Sequence, residues 1–127
     1  MGGGGVNGTE PNPEELLNLG IKSYEKQDFS KAKGYFEKAC DLNNGGGCSG
    51  LVFLYGSGKG VKQDLTKVAY FYTKACDLKD GWGCSFLGVL YYNGEGVEKN
   101  LIKAAYLYSK ACKLEFQLAC EMLKELR

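Results

Sequence analysis

Apolar residues recur three and four positions apart in successive short blocks, and polar or glycine-rich stretches separate these blocks. Such spacing places the apolar side chains on one face of an α-helix. The apolar faces of the first two blocks are Leu16, Leu17, Gly20 and Ile21, then Ala32, Tyr35, Phe36 and Ala39. The pattern therefore predicts an all-α protein that begins with a pair of amphipathic helices.

Residues typical of helix N-termini precede both blocks. Asn12 is followed by Pro13 and, three residues after the asparagine, by Glu15. An asparagine cap, a proline in the first turn and an acidic residue near the N-terminus all favour the start of a helix. Asp28 takes the same place before the second block. We therefore expect a helical hairpin over residues 12–43.

Two later segments repeat this arrangement with a longer inner turn. The turns are glycine-rich, at residues 56–61 and 93–97, and Asp64 and Asn100 follow them as predicted caps. Glycine supplies the left-handed backbone conformations that such turns need. We expect hairpins over residues 46–79 and 82–115, a terminal helix over residues 116–127, and a disordered glycine-rich segment over residues 1–11.

The cysteines indicate that the hairpins are copies of one unit. Cys40, Cys76 and Cys112 each follow Lys-Ala, and each is followed eight positions later by a second cysteine: Cys48, Cys84 and Cys120. The whole pattern recurs every 36 residues. A period of this size is typical of a stack of supersecondary units, in which each repeat buries its apolar face against its neighbours.

The C-x7-C spacing favours disulfides over metal binding. Zinc sites use closer cysteine pairs or cysteine with histidine, and the chain has no histidine. The repeat favours local pairing within each motif, Cys40 with Cys48, Cys76 with Cys84 and Cys112 with Cys120. Such bridges persist in secreted, periplasmic or surface proteins. The alternative is six reduced cysteines that pack as small apolar residues.

Composition and charge narrow the classes of partner. With 127 residues, of which 44% are hydrophobic, the chain is large enough for one elongated domain. A formal net charge of +1 offers no basic surface for nucleic acid or anionic membrane, and no apolar run reaches the length of a membrane span. The residues predict no metal and no cofactor, and we expect a monomer from which any export signal has been removed.

Three sets of residues carry a resemblance to known repeat families. The tetratricopeptide spacing occurs in the first hairpin at Leu19, Gly20, Ala32, Phe36 and Ala39. The longer inner turns, Gly58-x-Gly60-Val61 and Gly94-x-Gly96-Val97, resemble the Sel1-like repeat. With the C-x7-C pairs, residues 14–127 resemble the Helicobacter cysteine-rich proteins. The chain departs from the pattern at two packing positions, Val52 and Val68.

The resemblance implies an α/α superhelical solenoid of Sel1-like hairpins stapled by intra-repeat disulfides, in a secreted or periplasmic protein. Members of the family are described as penicillin-binding proteins or weak β-lactamases, and related repeat proteins are adaptors that grip peptides on a concave face. Two classes of function therefore compete. The resemblance leads us to expect the first, binding of β-lactams or peptidoglycan fragments with weak hydrolysis. The alternative is a non-catalytic scaffold for peptide or protein partners, including a host-interacting adaptor.

Two S-x-x-K strings, Ser23 to Lys26 and Ser30 to Lys33, are the candidates for a serine acyl mechanism. In serine β-lactamases this string occurs with S-D-N and K-T-G partners, and the chain has neither. Lysine-rich helices produce such strings on solvated surfaces. We therefore recognise no catalytic residue, and the expectation of hydrolase activity rests on the resemblance alone.

The tetratricopeptide register implies which side chains face the concave groove on the first helix of each hairpin. They are Leu17, Ile21, Tyr24 and Glu25, then Ser49, Phe53 and Ser57, then Trp82, Ser85, Val89, Tyr92 and Asn93. An exposed Trp82 would suit a sugar ring or an aromatic side chain, because indole offers an apolar plane and one hydrogen-bond donor. If Trp82 packs the helix junction instead, it belongs to the core.

Overall fold

Seven α-helices make up residues 11–126, the part of the chain that the computed structural model describes. In chain order they are α1 (Pro13–Glu25), α2 (Phe29–Asp41), α3 (Gly45–Ser57), α4 (Leu65–Asp77), α5 (Gly81–Asn93), α6 (Leu101–Lys113) and α7 (Gln117–Glu125). Each helix packs against the next, and α1 also contacts α3. The predicted solenoid of three hairpins and a last helix is confirmed. The glycine-rich segment predicted over residues 1–11 lies outside the described residues except for Pro11.

Side chains cap six of these helices, and four of the caps are those that the sequence predicts. The carboxamide of Asn12 accepts a hydrogen bond from the Glu15 amide at 2.9 Å, and Asp28, Asp64 and Asn100 act in the same way. Asn44 and Asp80 are caps that the sequence did not predict. They start α3 and α5 at Gly45 and Gly81, one residue before the predicted bounds of the second and third hairpins.

The glycines at the start of α3 let that helix lie directly on α2. A Cβ atom on Gly47 would come within 2.6 Å of the Ala39 Cβ and 2.7 Å of the Cys40 backbone nitrogen. Gly83 meets Ala75 in the same way at 2.8 Å. Real Cβ atoms do not approach other atoms this closely, so a larger residue would push the two helices apart. The glycine run that follows α2 is thus the first turn of a helix.

One turn conformation joins each hairpin to the next first helix. Asn43, Lys79 and Glu115 adopt φ angles of 66°, 66° and 65°, in the left-handed region. The amide after each of them donates to a carbonyl five residues earlier, as from Asn44 to Ala39 at 3.0 Å. This pattern satisfies the last carbonyl groups of α2, α4 and α6.

Each disulfide spans one of these turns, and the predicted pairing is confirmed. Cys40 bonds to Cys48, Cys76 to Cys84 and Cys112 to Cys120, with Cα–Cα distances of 4.7, 4.4 and 4.7 Å. The alternative of six reduced cysteines is therefore wrong. Each bridge joins the end of a second helix to the start of the following first helix, and closing so short a loop stabilises the fold by about 2 to 3 kcal/mol.

Candidate functional site

Three depressions follow one another along the first helices, α1, α3, α5 and α7. Each lies over one aromatic side chain of the second helix behind it: Phe36, Tyr72 and Tyr108. Their volumes are about 240, 350 and 380 Å³. Phe53 lines both the first and the middle depression, and Val89 lines both the middle and the third. The three depressions therefore form one continuous groove.

Seven of the predicted groove residues line these depressions. They are Ile21, Tyr24, Phe53, Ser57, Val89, Tyr92 and Asn93. Phe53 is 65% exposed, and Ile21 and Tyr92 are also exposed large apolar side chains. Glu25 is the last residue of α1, equivalent to Ser57 in α3 and Asn93 in α5. It is exposed but does not line a depression. The structure thus brings together most of the residues that the repeat register selected.

Leu17, Ser49 and Ser85 occupy one repeated position that faces the neighbouring first helix. A Cβ on Gly46 of α3 would lie 2.8 Å from a Leu17 methyl group, and the Ser49 hydroxyl donates to Asp80 at 3.2 Å. Ser85 is only 1% exposed. A ligand in the groove has no access to Ser85, so that residue leaves the candidate site, because its side chain is enclosed within the helix stack.

Trp82 lies at the junction of α5 and α7 with its ring largely in solvent, 59% exposed. It stacks on Phe86 with centroids 5.4 Å apart and meets Phe116 edge-on at 4.8 Å. Phe86 in turn stacks on Tyr72 at 5.8 Å. These side chains form an aromatic row that leads from the middle depression to the α5–α7 junction. Trp82 is therefore not a core residue, although it does not line the depressions.

Val52, where the other two hairpins have a glycine, explains why Tyr72 packs differently from Phe36 and Tyr108. Phe36 and Tyr108 lie flat against Gly20 and Gly88, where an added Cβ would come within 2.5 and 2.6 Å of the rings. Val52 stands at the equivalent position on α3, and it removes this space for Tyr72. Tyr72 is only half-buried and stacks on Phe86 instead. Burial and, next, the Asp80 carboxylate raise the Tyr72 pKa.

Among the groove residues that sequence reasoning missed are Phe86, Met122 and Glu125. A helical signal was available for Phe86, because it lies four residues after Trp82 and three before Val89. Met122 is its equivalent one 36-residue period later. The predicted register selected Ser85, whereas the next residue, Phe86, is the one that lines the groove.

Neither S-x-x-K string is arranged for acyl transfer. Ser23 is buried, and its hydroxyl donates to the Leu19 carbonyl at 2.9 Å, so its proton is not directed toward Lys26. Lys33 donates to Glu37 at 2.8 Å, and this hydrogen bond raises the Lys33 pKa. A general base must be neutral for part of the time, whereas Lys33 stays protonated. The strings are therefore structural and surface features.

Neither a cluster of metal-ligand side chains nor a membrane-spanning helix occurs in residues 11–126. Within that range no group of three or more histidine, cysteine or acidic side chains is placed to hold a metal ion. None of the helices described is both long enough and apolar enough to cross a membrane.

Comparison with known proteins agrees with the repeat pattern. The family model described as Sel1 repeat matches residues 16–44, 49–80 and 83–116. The solved structure of Helicobacter pylori cysteine rich protein B is 36% identical, covers 95% of this chain and all of that one (100%), and superposes with a TM-score of 0.72. The chain belongs to the Helicobacter cysteine-rich family of Sel1 repeat proteins.

Two further relatives support the fold of this Sel1 repeat protein. A Sel1 repeat protein from Oxalobacter formigenes, 24% identical, has a TM-score of 0.81 over 89% of this chain and 48% of that one. The Helicobacter pylori beta-lactamase HcpA is 56% identical over 52 residues, which are 41% of this chain and 21% of HcpA. The match thus spans about a fifth of the length of that curated relative.

Proposed function

We propose that this Sel1 repeat protein is a monomeric binding module of an oxidising compartment, secreted or periplasmic, whose groove holds an apolar peptide segment of a partner protein. The observation that carries the proposal is the continuous groove with Ile21, Phe53 and Tyr92 exposed along it. Contiguous exposed apolar surface is typical of interaction sites. The three disulfides favour the compartment, because they do not persist in a reducing cytosol.

The lining of the first depression favours a peptide over a small polar ligand. Its walls are Ile21, Tyr24, Phe36 and Phe53, and the Tyr24 hydroxyl already lies 3.5 Å from the Lys59 ammonium. A β-lactam or a peptidoglycan fragment carries carboxylate and amide groups that need several convergent polar partners. Apolar side chains of a peptide need none, and they fit the succession of depressions along the groove.

Replacement of Phe53 by alanine tests this function, because Phe53 is shared by two depressions. We expect the affinity for a synthetic peptide with leucine and phenylalanine anchors to fall about tenfold, with unfolding free energy changed by less than about 0.5 kcal/mol. Fluorescence anisotropy measures the affinity and urea denaturation the stability. The matched control is Tyr70→Ala, since Tyr70 is 63% exposed on α4 and lines none of the three depressions. Equal loss of binding in both variants would refute the groove as the binding site.

Binding and slow hydrolysis of β-lactams is the second candidate. The third depression favours it, because Tyr92, Asn93 and Glu125 supply polar groups there that the first depression lacks. The name of HcpA points in the same direction.

For the second candidate we expect Ser23→Ala and Ser30→Ala to leave any penicillin binding or turnover unchanged. The Ser23 hydroxyl donates its proton to the Leu19 carbonyl, so it is not directed toward Lys26. Lys33, the lysine of the second string, is charged and paired with Glu37, so it cannot act as a base for Ser30. Intact-mass spectrometry after incubation with a penicillin is the measurement. If an acyl adduct of the wild type disappears in either variant while circular dichroism stays unchanged, the protein is a serine β-lactamase and this expectation is wrong.

A further inference from the structure

We propose that the segment bound in the groove is cationic as well as apolar: a peptide of a partner protein in which lysine or arginine side chains flank apolar anchors. The inference rests on the proposed function and specifies its ligand. It follows from the way in which charge is divided between the two sets of helices.

The outer first helices, α1 and α7, and the second helices carry opposite charge. Helices α1 and α7 carry Glu14, Glu15, Glu25, Glu121 and Glu125 against Lys22 and Lys124, whereas α3 and α5 carry no charged residue. Basic residues dominate the second helices, with Lys31, Lys33, Lys38, Lys67, Lys74, Lys103, Lys110 and Lys113 against Glu37, Asp41 and Asp77. The net charge of +1 for the whole chain does not reveal this division, because the two sets have opposite signs.

One carboxylate lines the groove, and two others belong to residues that interact with or follow groove-lining residues. Glu125 lines the third depression, and Glu25 lies beside Tyr24 of the first. Asp80 does not line the middle depression; it accepts hydrogen bonds from the Ser49 hydroxyl and the Trp82 amide, at 3.2 and 3.0 Å. After burial, its carboxylate is the second cause that raises the pKa of Tyr72, which does line that depression. Among the residues that line the three depressions, the charged one is thus an acid, Glu125.

Two further features of the groove favour cations. Helices α1, α3 and α5 end at Glu25, Ser57 and Asn93, in the register of the groove, and helix C-termini carry partial negative charge. The exposed ring of Trp82, at the end of the aromatic row, offers a face for a guanidinium or ammonium group.

Lys59 is a positive group beside the groove, and it shows how an ammonium group can lie over aromatic rings there. Its ammonium lies 5.3 Å from the centroid of the Tyr24 ring and 5.4 Å from that of Phe29. The side chain thus places its charge over aromatic rings at the edge of the first depression, as we expect an incoming lysine to do at the other two.

The test uses three fluorescein-labelled synthetic peptides of equal length: one with leucine anchors and lysines, one with the lysines replaced by glutamates, and one with the leucines replaced by serines. We expect the wild-type protein to bind the leucine–lysine peptide at least about tenfold more tightly than either analogue. The preference over the glutamate peptide should shrink as salt is raised.

A pair of charge-reversal variants locates the effect. Glu25→Lys with Glu125→Lys changes the groove, whereas Asp41→Lys with Asp77→Lys makes the same change of net charge at exposed positions on second helices. We expect the groove variant to lose most of the preference for the lysine peptide, by about three- to tenfold, and the control variant to keep it.

The outcomes separate this inference from the proposed function. If neither leucine peptide binds, the proposed function itself is wrong. If the leucine–lysine and leucine–glutamate peptides bind equally well, only the inference of a cationic ligand is wrong. If the serine peptide binds as tightly as the leucine–lysine peptide, charge alone attracts the ligand and the apolar anchors play no part, which also contradicts the inference. A dimer in analytical ultracentrifugation that the groove variant abolishes would assign the groove to the lysine-rich helices of a second copy, which also contradicts the inference.

Discussion

Reduction of the three disulfides is expected to unfold the protein at ambient temperature. Each bridge contributes about 2 to 3 kcal/mol by restricting the unfolded chain, and the total is comparable to the whole stability of a typical domain, about 5 to 15 kcal/mol. In the folded stack the bridges also hold each second helix against the next first helix, as Cys76 and Cys84 do between α4 and α5. Circular dichroism at increasing temperature, with and without a phosphine reductant, measures the effect.

The paired variant Cys76→Ala with Cys84→Ala isolates the middle bridge. We expect it to lower the unfolding free energy by about 2 to 3 kcal/mol while the other two bridges keep the protein folded. The same variant with reductant added should behave as the reduced wild type. If the reduced wild type melts at the temperature of the oxidised protein, the helices hold the fold without the bridges and this account of stability fails.

Truncation of Tyr108 to alanine is expected to lower the unfolding free energy by about 3 to 5 kcal/mol. The side chain is 2% exposed, and its ring fills the space against Gly88 between the helices of the third hairpin. Its removal leaves a cavity between the two helices. The substitution also removes the side chain that forms the floor of the third depression.

Tyr106→Ala is the matched control for this second prediction. Tyr106 lies on the same helix, two residues earlier, and is 65% exposed. We expect its truncation to change stability by less than about 0.5 kcal/mol in urea denaturation. Similar losses in the two variants would show that burial of the ring does not set the cost.

Features that depend on short stretches of chain could be predicted from the sequence. Helix periodicity gives the hairpins, and a carboxylate or carboxamide such as Asp28 or Asn12 marks the start of a helix wherever the helix then packs. The disulfide pairing was equally accessible, because the same interval occurs three times along the chain.

The shape of the groove could not be predicted in the same way, because it depends on how neighbouring helices approach one another. Ser85 and Phe86 are adjacent in sequence, and a small rotation of α5 decides which of them reaches the groove. Val52 was noticed as a departure at a packing position, yet its effect falls on Tyr72, a residue of a different helix. Trp82 could not be assigned from its neighbours in sequence, since its partner Phe116 belongs to the turn before α7.

The bridged turns between hairpins also determine how the protein would respond to tension. Pulled from its two ends, the oxidised stack would stop short of full extension, because residues 40–48, 76–84 and 112–120 form closed loops. The chain between successive bridges, residues 49–75 and 85–111, has the same length in both cases. The oxidised protein would therefore lengthen in equal steps as these two segments unfold. In a reducing environment the bridges would open, and the chain could then extend fully.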